Sequence, residues 1–324
     1  MHLHIFLAGD NVSLEQLRGS SLASARLRIV PAADAALRRG FTISIGDVCP
    51  AITTTALVGK IGAANISKRQ DLWLKQIRAL EAAGHKAILD YTDHHLETQS
   101  VMRDFYEQSI KACSETVTPT SFLTDALATY DDSKTYSTVH DLLEYPVVEP
   151  ANIDGRQAKT GVWFGHPSNA QFLAQFIDEH SALLKQQHLM VVSSEQTISI
   201  LKRYRYKNTP SVSVKFIAWS MAAVLNAAKS ADYCIIPSDT ASPKRFASNN
   251  RLITALALGL PTIATPIPSY TEYSDFFTSD RAEQIKALIK DPSSMHNRLK
   301  EFQANHASKF SAPAIMHSWV NVLV

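Results

Sequence analysis

The chain has 324 residues, 45% hydrophobic and 19% charged, a length that suits two domains and a composition that excludes a largely disordered chain. A formal charge of +2 excludes nucleic-acid binding driven by bulk electrostatics, so any anion must be recognised by a local cluster. Cys49, Cys113 and Cys234 are odd in number and far apart, which argues against a disulfide framework or a zinc site, and no apolar run is long enough to span a membrane. The expectation is a protein of the reducing cytoplasm, neither exported nor membrane-spanning.

Short runs rich in Ile, Val, Leu and Phe, separated by helical patterns, predict buried parallel strands. In chain order they are "HIFLA" (4–8), "FTISI" (41–45), "ALVG" (56–59), "KAILDY" (86–91), "TVTP" (116–119) and "YSTVH" (136–140). Helical spacing falls in "SARLRIVPAADAALRRG", "SKRQDLWLKQIRALEAAGH" and "SVMRDFYEQSIKACSE", the first two closing on Gly40 and Gly84 as helix stops. After a Pro/Gly/Asn-bearing stretch that reads as a linker around Asn152 to Gly155, the pattern restarts. The second set of strands is "GVWFG" (161–165), "HLMVVSS" (188–194), "SVKFIAW" (213–219), "DYCIIPS" (232–238) and "PTIATP" (261–266), again with helices between. Two α/β halves follow, and open parallel sheets bind ligands outside their strand C-termini.

The stretch "SNNRLITALALGLPTIATP" (248–266) passes from polar residues to an apolar helix, a Gly-Leu-Pro turn and a buried strand. Ser248, Asn249 and Asn250 are good N-cap types, and the helix they start presents free N–H groups. Arg251 in the first turn opposes the helix dipole unless an anion is present, and a phosphate would satisfy both. Lys244 and Arg245 add charge just upstream, as a diphosphate site or as a solvated basic loop. Gly165, His166, Ser168 and Asn169 form a strand-to-helix turn that is either structural or a ligand loop with free amides.

Residues 231–273, "ADYCIIPSD…KRFASNNRLITALALGLPTIATPIPSYTEY", resemble the nucleotide-sugar-binding half of bacterial GT-B glycosyltransferases, particularly the group 1 transferases of surface polysaccharide assembly. "SARLRI", "AILDYTDHH", "TPTSFL" and "VWFGHPSN" stand in the order that family would use. The resemblance implies two Rossmann-like domains facing across a cleft: an acceptor side over 1–154, a nucleotide-sugar side over 155–305, and a C-terminal helix, 306–324, packing back on the first. It implies a nucleoside diphosphate sugar donor and a glycan or lipid-linked acceptor; the sequence has no DxD-type carboxylate pair near the expected diphosphate site and offers cations there instead, so no metal is expected, nor a cofactor or nucleic acid. Lys244 and Arg251 would stabilise the departing diphosphate, while Gly165, His166, Ser168, Asn169, Ser248, Asn249, Asn250, Thr254 and Glu272 would line the donor site. Asp93 or His94 would be the base of an inverting reaction. Two departures stand out. Phe246 and Thr254 occupy places where many retaining members carry a pair of glutamates, and "FGHPSN" replaces a family-typical Arg and Lys pair.

Other readings stay open. "DYTDHH" groups Asp90, Asp93, His94 and His95, which suits a DHH-like metal phosphoesterase, although the earlier strands offer only Asp10 and Asp47 as further ligands. The missing carboxylates also fit a catalytically silent module that binds a nucleotide or a partner, and an epimerase of the same architecture is a third competitor. "LKRYRYK" interleaves Lys202, Arg203, Arg205 and Lys207 with Tyr204 and Tyr206, either a solvated edge or a patch resting on anionic lipid heads at the inner membrane. The apolar "APAIMHSWVNVLV" is expected to pack as a core helix.

Overall fold

The computed structural model describes residues 1–8, 12–62, 66–151, 156–205, 212–241 and 243–324, with Tyr204 and Arg205 by backbone alone. The expected linker Asn152 to Gly155, together with Asp10, Tyr206 and Lys207, lies outside the described residues. The chain divides into two compact units: Met1–Leu142 with Phe246–Ser248 and Lys309–Val324, and Leu143–Arg245 with Asn249–Ser308.

The first unit holds β1 (His2–Phe6), β2 (Thr42–Gly46), β3 (Thr55–Val58), β4 (Lys86–Asp90), β5 (Glu115–Thr118) and β6 (Thr135–Thr138) in one parallel sheet, ordered β2-β1-β3-β4-β5-β6. Strand side chains alternate between faces, so the apolar runs divide cleanly. Leu3, Ile5, Leu57 and Ile88 enter one core, whereas Phe6, Ala56, Val58, Ala87 and Leu89 enter the other. The first core is closed by helix Val30–Arg38 and by the C-terminal helix Ala312–Leu323, which buries Ile315, Trp319, Val322 and Leu323 at helical spacing. The second core is closed by helix Ile66–Ala82 through Trp73, Leu74 and Ile77. Each such side chain contributes about 1.5–3 kcal/mol by leaving water. The crossover from β2 to β3 carries no helix. Its loop is fastened to helix Ile66–Ala82 instead: Asp47 accepts from Trp73 Nε1 at 2.9 Å and pairs with Arg69 at 3.0 Å, and the Cys49 amide donates to Gln76 at 2.6 Å.

The second unit holds β7 (Thr160–Phe164), β8 (His188–Ser193), β9 (Ser213–Ala218), β10 (Tyr233–Ile236), β11 (Thr262–Ala264) and β12 (Thr278–Ser279), ordered β12-β11-β10-β7-β8-β9 and parallel. The order runs outward in both directions from β7 and β10, so the reversal point, where such sheets bind ligands, lies at the C-terminal ends of those two strands. Gly161 is required on β7 because a Cβ there would lie 2.8 Å from the Tyr233 ring. Asp232 pins the start of β7 by accepting from the Lys159 and Thr160 amides at 2.8 and 2.9 Å and pairing with Arg156 at 2.7 Å. Each of the expected strands forms, shifted by a residue or so. The short β12 was not expected, since two residues offer no periodicity to read.

Candidate anion site and the buried charge network

At the end of β7 the chain turns on Gly165, whose carbonyl accepts from Ser193 Oγ at 2.6 Å, with Ser193 in turn bonded to Thr197 at 2.6 Å. These bonds fix the turn from behind. The amides expected to be free in the next residues are taken up locally: His166 Nδ1 accepts from the Ser168 amide at 3.2 Å, and the Asn169 amide bonds the His166 carbonyl at 3.0 Å. A His-Pro-Ser turn caps itself, which is why this segment supplies no row of open donors.

Helix Asn250–Ala257 carries no acidic residue in its first turn. Asn249 occupies the cap position, but its side chain makes no capping bond; it is 3% exposed and its Oδ1 has no hydrogen-bond partner. Arg251, one residue into the helix, sends its guanidinium under the β7 turn. Nη1 is buried without a hydrogen bond and lies 3.5 Å from where a Cβ on Gly165 would stand, with the Trp163 ring 3.1 Å from the same point. Tyr270 is buried beside this cation. Burial raises the phenol's pKa and Arg251 works against the rise, yet neither Tyr270 Oη nor Arg251 Nη1 makes a hydrogen bond of normal geometry. Burial also pushes the Cys234 thiol up to about 12, again opposed by Arg251. A buried donor on a cation costs free energy unless something accepts from it, and a helix start is where an anion is best placed to do so.

The structure brings Gly165 and Arg251 together. Ser248 belongs to the first unit, and its hydroxyl donates to Asp141 rather than capping the helix, which corrects the expectation of a Ser-Asn-Asn cap. Asn250 opens the helix half-exposed, and Thr254 stands half-buried one turn on. Lys244 is half-exposed in the short turn Pro243–Phe246, and Glu272 is exposed beside Tyr273.

In the first unit the "DYTDHH" residues diverge. Asp93 is exposed and paired with Lys60, whereas His94 is 6% exposed, with Nδ1 3.3 Å from Tyr91 Oη and its ring 4.2 Å from that of Phe246. His95 stacks on Tyr106 at 4.7 Å and bonds Ser100 Oγ at 3.0 Å, and burial lowers its pKa. Asp90 points inward to Arg28, which donates from Nε at 3.0 Å and from Nη2 at 2.6 Å. Arg28 also donates to the Val139 carbonyl, sits 3.6 Å from Asp141 and lies over the Trp319 ring at 5.1 Å. Burial works against the Arg28 charge, and the two carboxylates more than offset it. "SARLRI" forms a π-turn over Ala25–Ile29, which buries both Arg26 and Arg28. Among the described residues no three His, Cys, Asp or Glu side chains are grouped to hold a metal ion, and no helix is long and apolar enough to cross a membrane. Lys202 and Arg203 are exposed on helix Glu195–Arg205; the Arg205 side chain lies outside the described residues.

Sequence reasoning missed Trp163, Tyr270, Arg28 and Asp141. Nothing local marks Tyr270, Arg28 or Asp141, because each gains its place from partners distant in the chain.

No protein-family model matches the chain, and no curated protein matches its sequence. Solved structures match by fold. Anabaena HepE, in complex with UDP and glucose, aligns over 100% of this chain and 99% of its own, with TM-score 0.65 and 11% identity. TarM aligns over 83% of this chain and 54% of its own, with TM-score 0.62 and 11% identity. The lipopolysaccharide outer core galactosyltransferase WaaB, in its apo form, aligns over 99% and 98%, with TM-score 0.56 and 10% identity. The chain thus spans only a little over half of TarM but nearly all of HepE and WaaB. At these identities the likeness shows the fold, and that fold is GT-B: two Rossmann-like units of parallel sheet and helices.

Proposed function

We propose that the chain is a glycosyltransferase that moves a sugar from a nucleoside diphosphate sugar to a glycan or lipid-linked acceptor in surface polysaccharide synthesis. The observation that carries this reading is the buried, unpartnered Arg251 Nη1 at the strand-order reversal point of the second sheet, beneath Gly165 and at a helix start. Charge grows on the leaving diphosphate as the glycosidic bond breaks, so a fixed guanidinium and helix dipole there lower the barrier electrostatically. In this reading residues 155–305 take the donor through Arg251, Lys244, Gly165, His166, Ser168, Asn169, Ser248, Asn249, Asn250, Thr254 and Glu272, while the acceptor meets residues 1–154. Asp93 or His94 serves as base if the reaction inverts, and His94 then has to leave its packing against Phe246. Cations do the work of a metal at the diphosphate, so donor binding is metal-independent. Lys202 and Arg203 offer a contact to anionic lipid at the cytoplasmic face of the membrane.

HepE was seen with UDP and glucose, which supports the choice of donor class. A thermal-shift screen across nucleoside diphosphate sugars, followed by a transfer assay with the stabilising donor, tests the proposal. Stabilisation by one donor and product formation are expected; no stabilisation by any donor would sink it. One observation favours a second reading, a module that binds nucleotide without turnover. Phe246, at a place where relatives carry a carboxylate, is 3% exposed and stacked 5.1 Å from Phe122 in the core of the first unit. Donor binding with neither transfer nor hydrolysis would select it.

A further inference from the structure

Tyr270 lies within the second unit, 0% exposed, and its hydroxyl has no hydrogen-bond partner of normal geometry among the described residues. The chain leading to it is tied down in steps, all inside that unit. Just past β11 the Thr265 hydroxyl accepts from the Ser238 amide at 3.0 Å and donates to Asp280. The Ile267 amide bonds the Thr265 carbonyl at 2.8 Å, and the Tyr270 amide bonds the Ile267 carbonyl at 2.9 Å. Two tight turns in succession therefore fix where the phenol begins, and Phe277 braces its ring edge-on at 6.1 Å.

Burial raises the Tyr270 pKa, and the Arg251 guanidinium works against that rise by its charge and its N–H groups, so the two side chains lie close together. No hydrogen bond of normal geometry joins them. Trp163 closes the same place: its ring edge lies 3.1 Å from the point where a Gly165 Cβ would stand, Arg251 Nη1 lies 3.5 Å from that point, and the indole Nε1 is a third buried group without a partner. These groups cannot satisfy one another. A guanidinium and an indole only donate, and a phenol that accepts from one of them still has its own O–H to place. Cys234, also under the Arg251 charge, is a buried thiol kept protonated and so a weak acceptor. What the place lacks is a group rich in acceptors, and it lies at the strand-order reversal point of the sheet.

We propose that Tyr270 is a second donor of the anion site, its hydroxyl giving a hydrogen bond to the phosphate oxygens that Arg251 attracts, so that a nucleoside diphosphate is held by a guanidinium and a phenol together. Nη1 and Oη are closed to water in the ligand-free chain, so a phosphate reaches them by displacing part of their cover. The inference rests on the anion-site reading of Arg251, and its test separates the two. A hydroxyl kept for a ligand is a burden without one, because it is desolvated and unbonded. Tyr270→Phe removes that hydroxyl and keeps the ring, so it should relieve the free protein while weakening the ligand, whereas loss of a hydroxyl bonded inside the protein would destabilise it.

The experiment uses the full chain in three forms: wild type, Tyr270→Phe and Arg251→Ala. Urea unfolding is followed without ligand, and UDP is titrated calorimetrically into each form. Tyr270→Phe is expected to unfold at the same urea concentration as wild type or a higher one, and to bind UDP several-fold more weakly. A lower midpoint would mean that the hydroxyl is satisfied within the protein, and an unchanged UDP affinity would mean that it does not reach the ligand; either overturns the proposal. If Arg251→Ala binds UDP as wild type does, the anion-site reading fails. A several-fold loss in Tyr270→Phe would then uphold the phenol as a donor to UDP by itself, and no loss would overturn it as well.

Discussion

Arg251 sits where the helix dipole disfavours a cation, and its buried Nη1 makes no hydrogen bond of normal geometry, which is why an anion is proposed to accept from it there. Lys244 and Thr254 allow a graded comparison at the same scale. Lys244→Ala should weaken UDP by about 1 kcal/mol or more, the scale of one charge-assisted bond, and Thr254→Ala by less, since one neutral hydroxyl cannot replace a bidentate carboxylate on a ribose. Calorimetry with UDP gives the order directly; a larger loss at Thr254 would move affinity from the phosphates to the ribose. A different residue contributes to the pH dependence of stability. His4 is 1% exposed, and burial lowers its pKa from 6.5 to about 4. The unfolded chain therefore takes the proton first as pH falls, so the contribution is complete above about pH 6.5 and is lost on the way to about pH 4, by at most about 1.4 kcal/mol per pH unit. The urea midpoint of the first unit should drop from about pH 7 to about pH 5, and His4→Gln should shrink that drop. His2 and His95 are lowered too, so a residual slope is expected, but an undiminished one would acquit His4.

The helix–turn–strand passage through Asn250–Ala257, Gly259 and Thr262–Ala264 was legible because each part has a local cause: apolar spacing, a left-handed glycine and a β-branched run. Gly259 has φ 73°, and a Cβ there would lie 2.6 Å from the Val148 carbonyl oxygen. Gly259→Ala should cost about 2 kcal/mol or more, from left-handed strain plus a clash with backbone that cannot swing away, and a urea unfolding curve measures it. An unchanged midpoint would mean that the turn is softer than its geometry. Gly165 tests the other turn. Its Cβ would stand 3.1 Å from Trp163 and 3.5 Å from Arg251 Nη1, so Gly165→Ala should lower UDP affinity several-fold while the far-ultraviolet circular dichroism stays that of wild type. What the sequence concealed at this scale was the use of polar residues. Ser, Asn and Asn before a helix read as a cap, yet Ser248 is drawn to Asp141, 107 positions away in the chain, and a distant acceptor outcompeted the local one.

At the scale of the molecule, two parallel sheets were readable because strands buried on both faces become continuous apolar runs, whatever the sequence around them. That is also why HepE and WaaB share the fold at 11% and 10% identity. The candidate site was legible only in its cations. Arg251 was visible as a misplaced charge, whereas the Arg28–Asp90 pair joins residues 62 apart, with Val139 111 from Arg28, and no spacing rule brings them together. The central claim is that the second unit holds a diphosphate on Arg251 without a metal. Calorimetric titration of UDP into wild type and Arg251→Ala, both in chelator, tests it most directly. The account predicts binding by wild type and a loss of about tenfold or more in the variant, as for a charge-assisted bond. Equal affinities, or wild-type binding that chelator removes and magnesium restores, would contradict it.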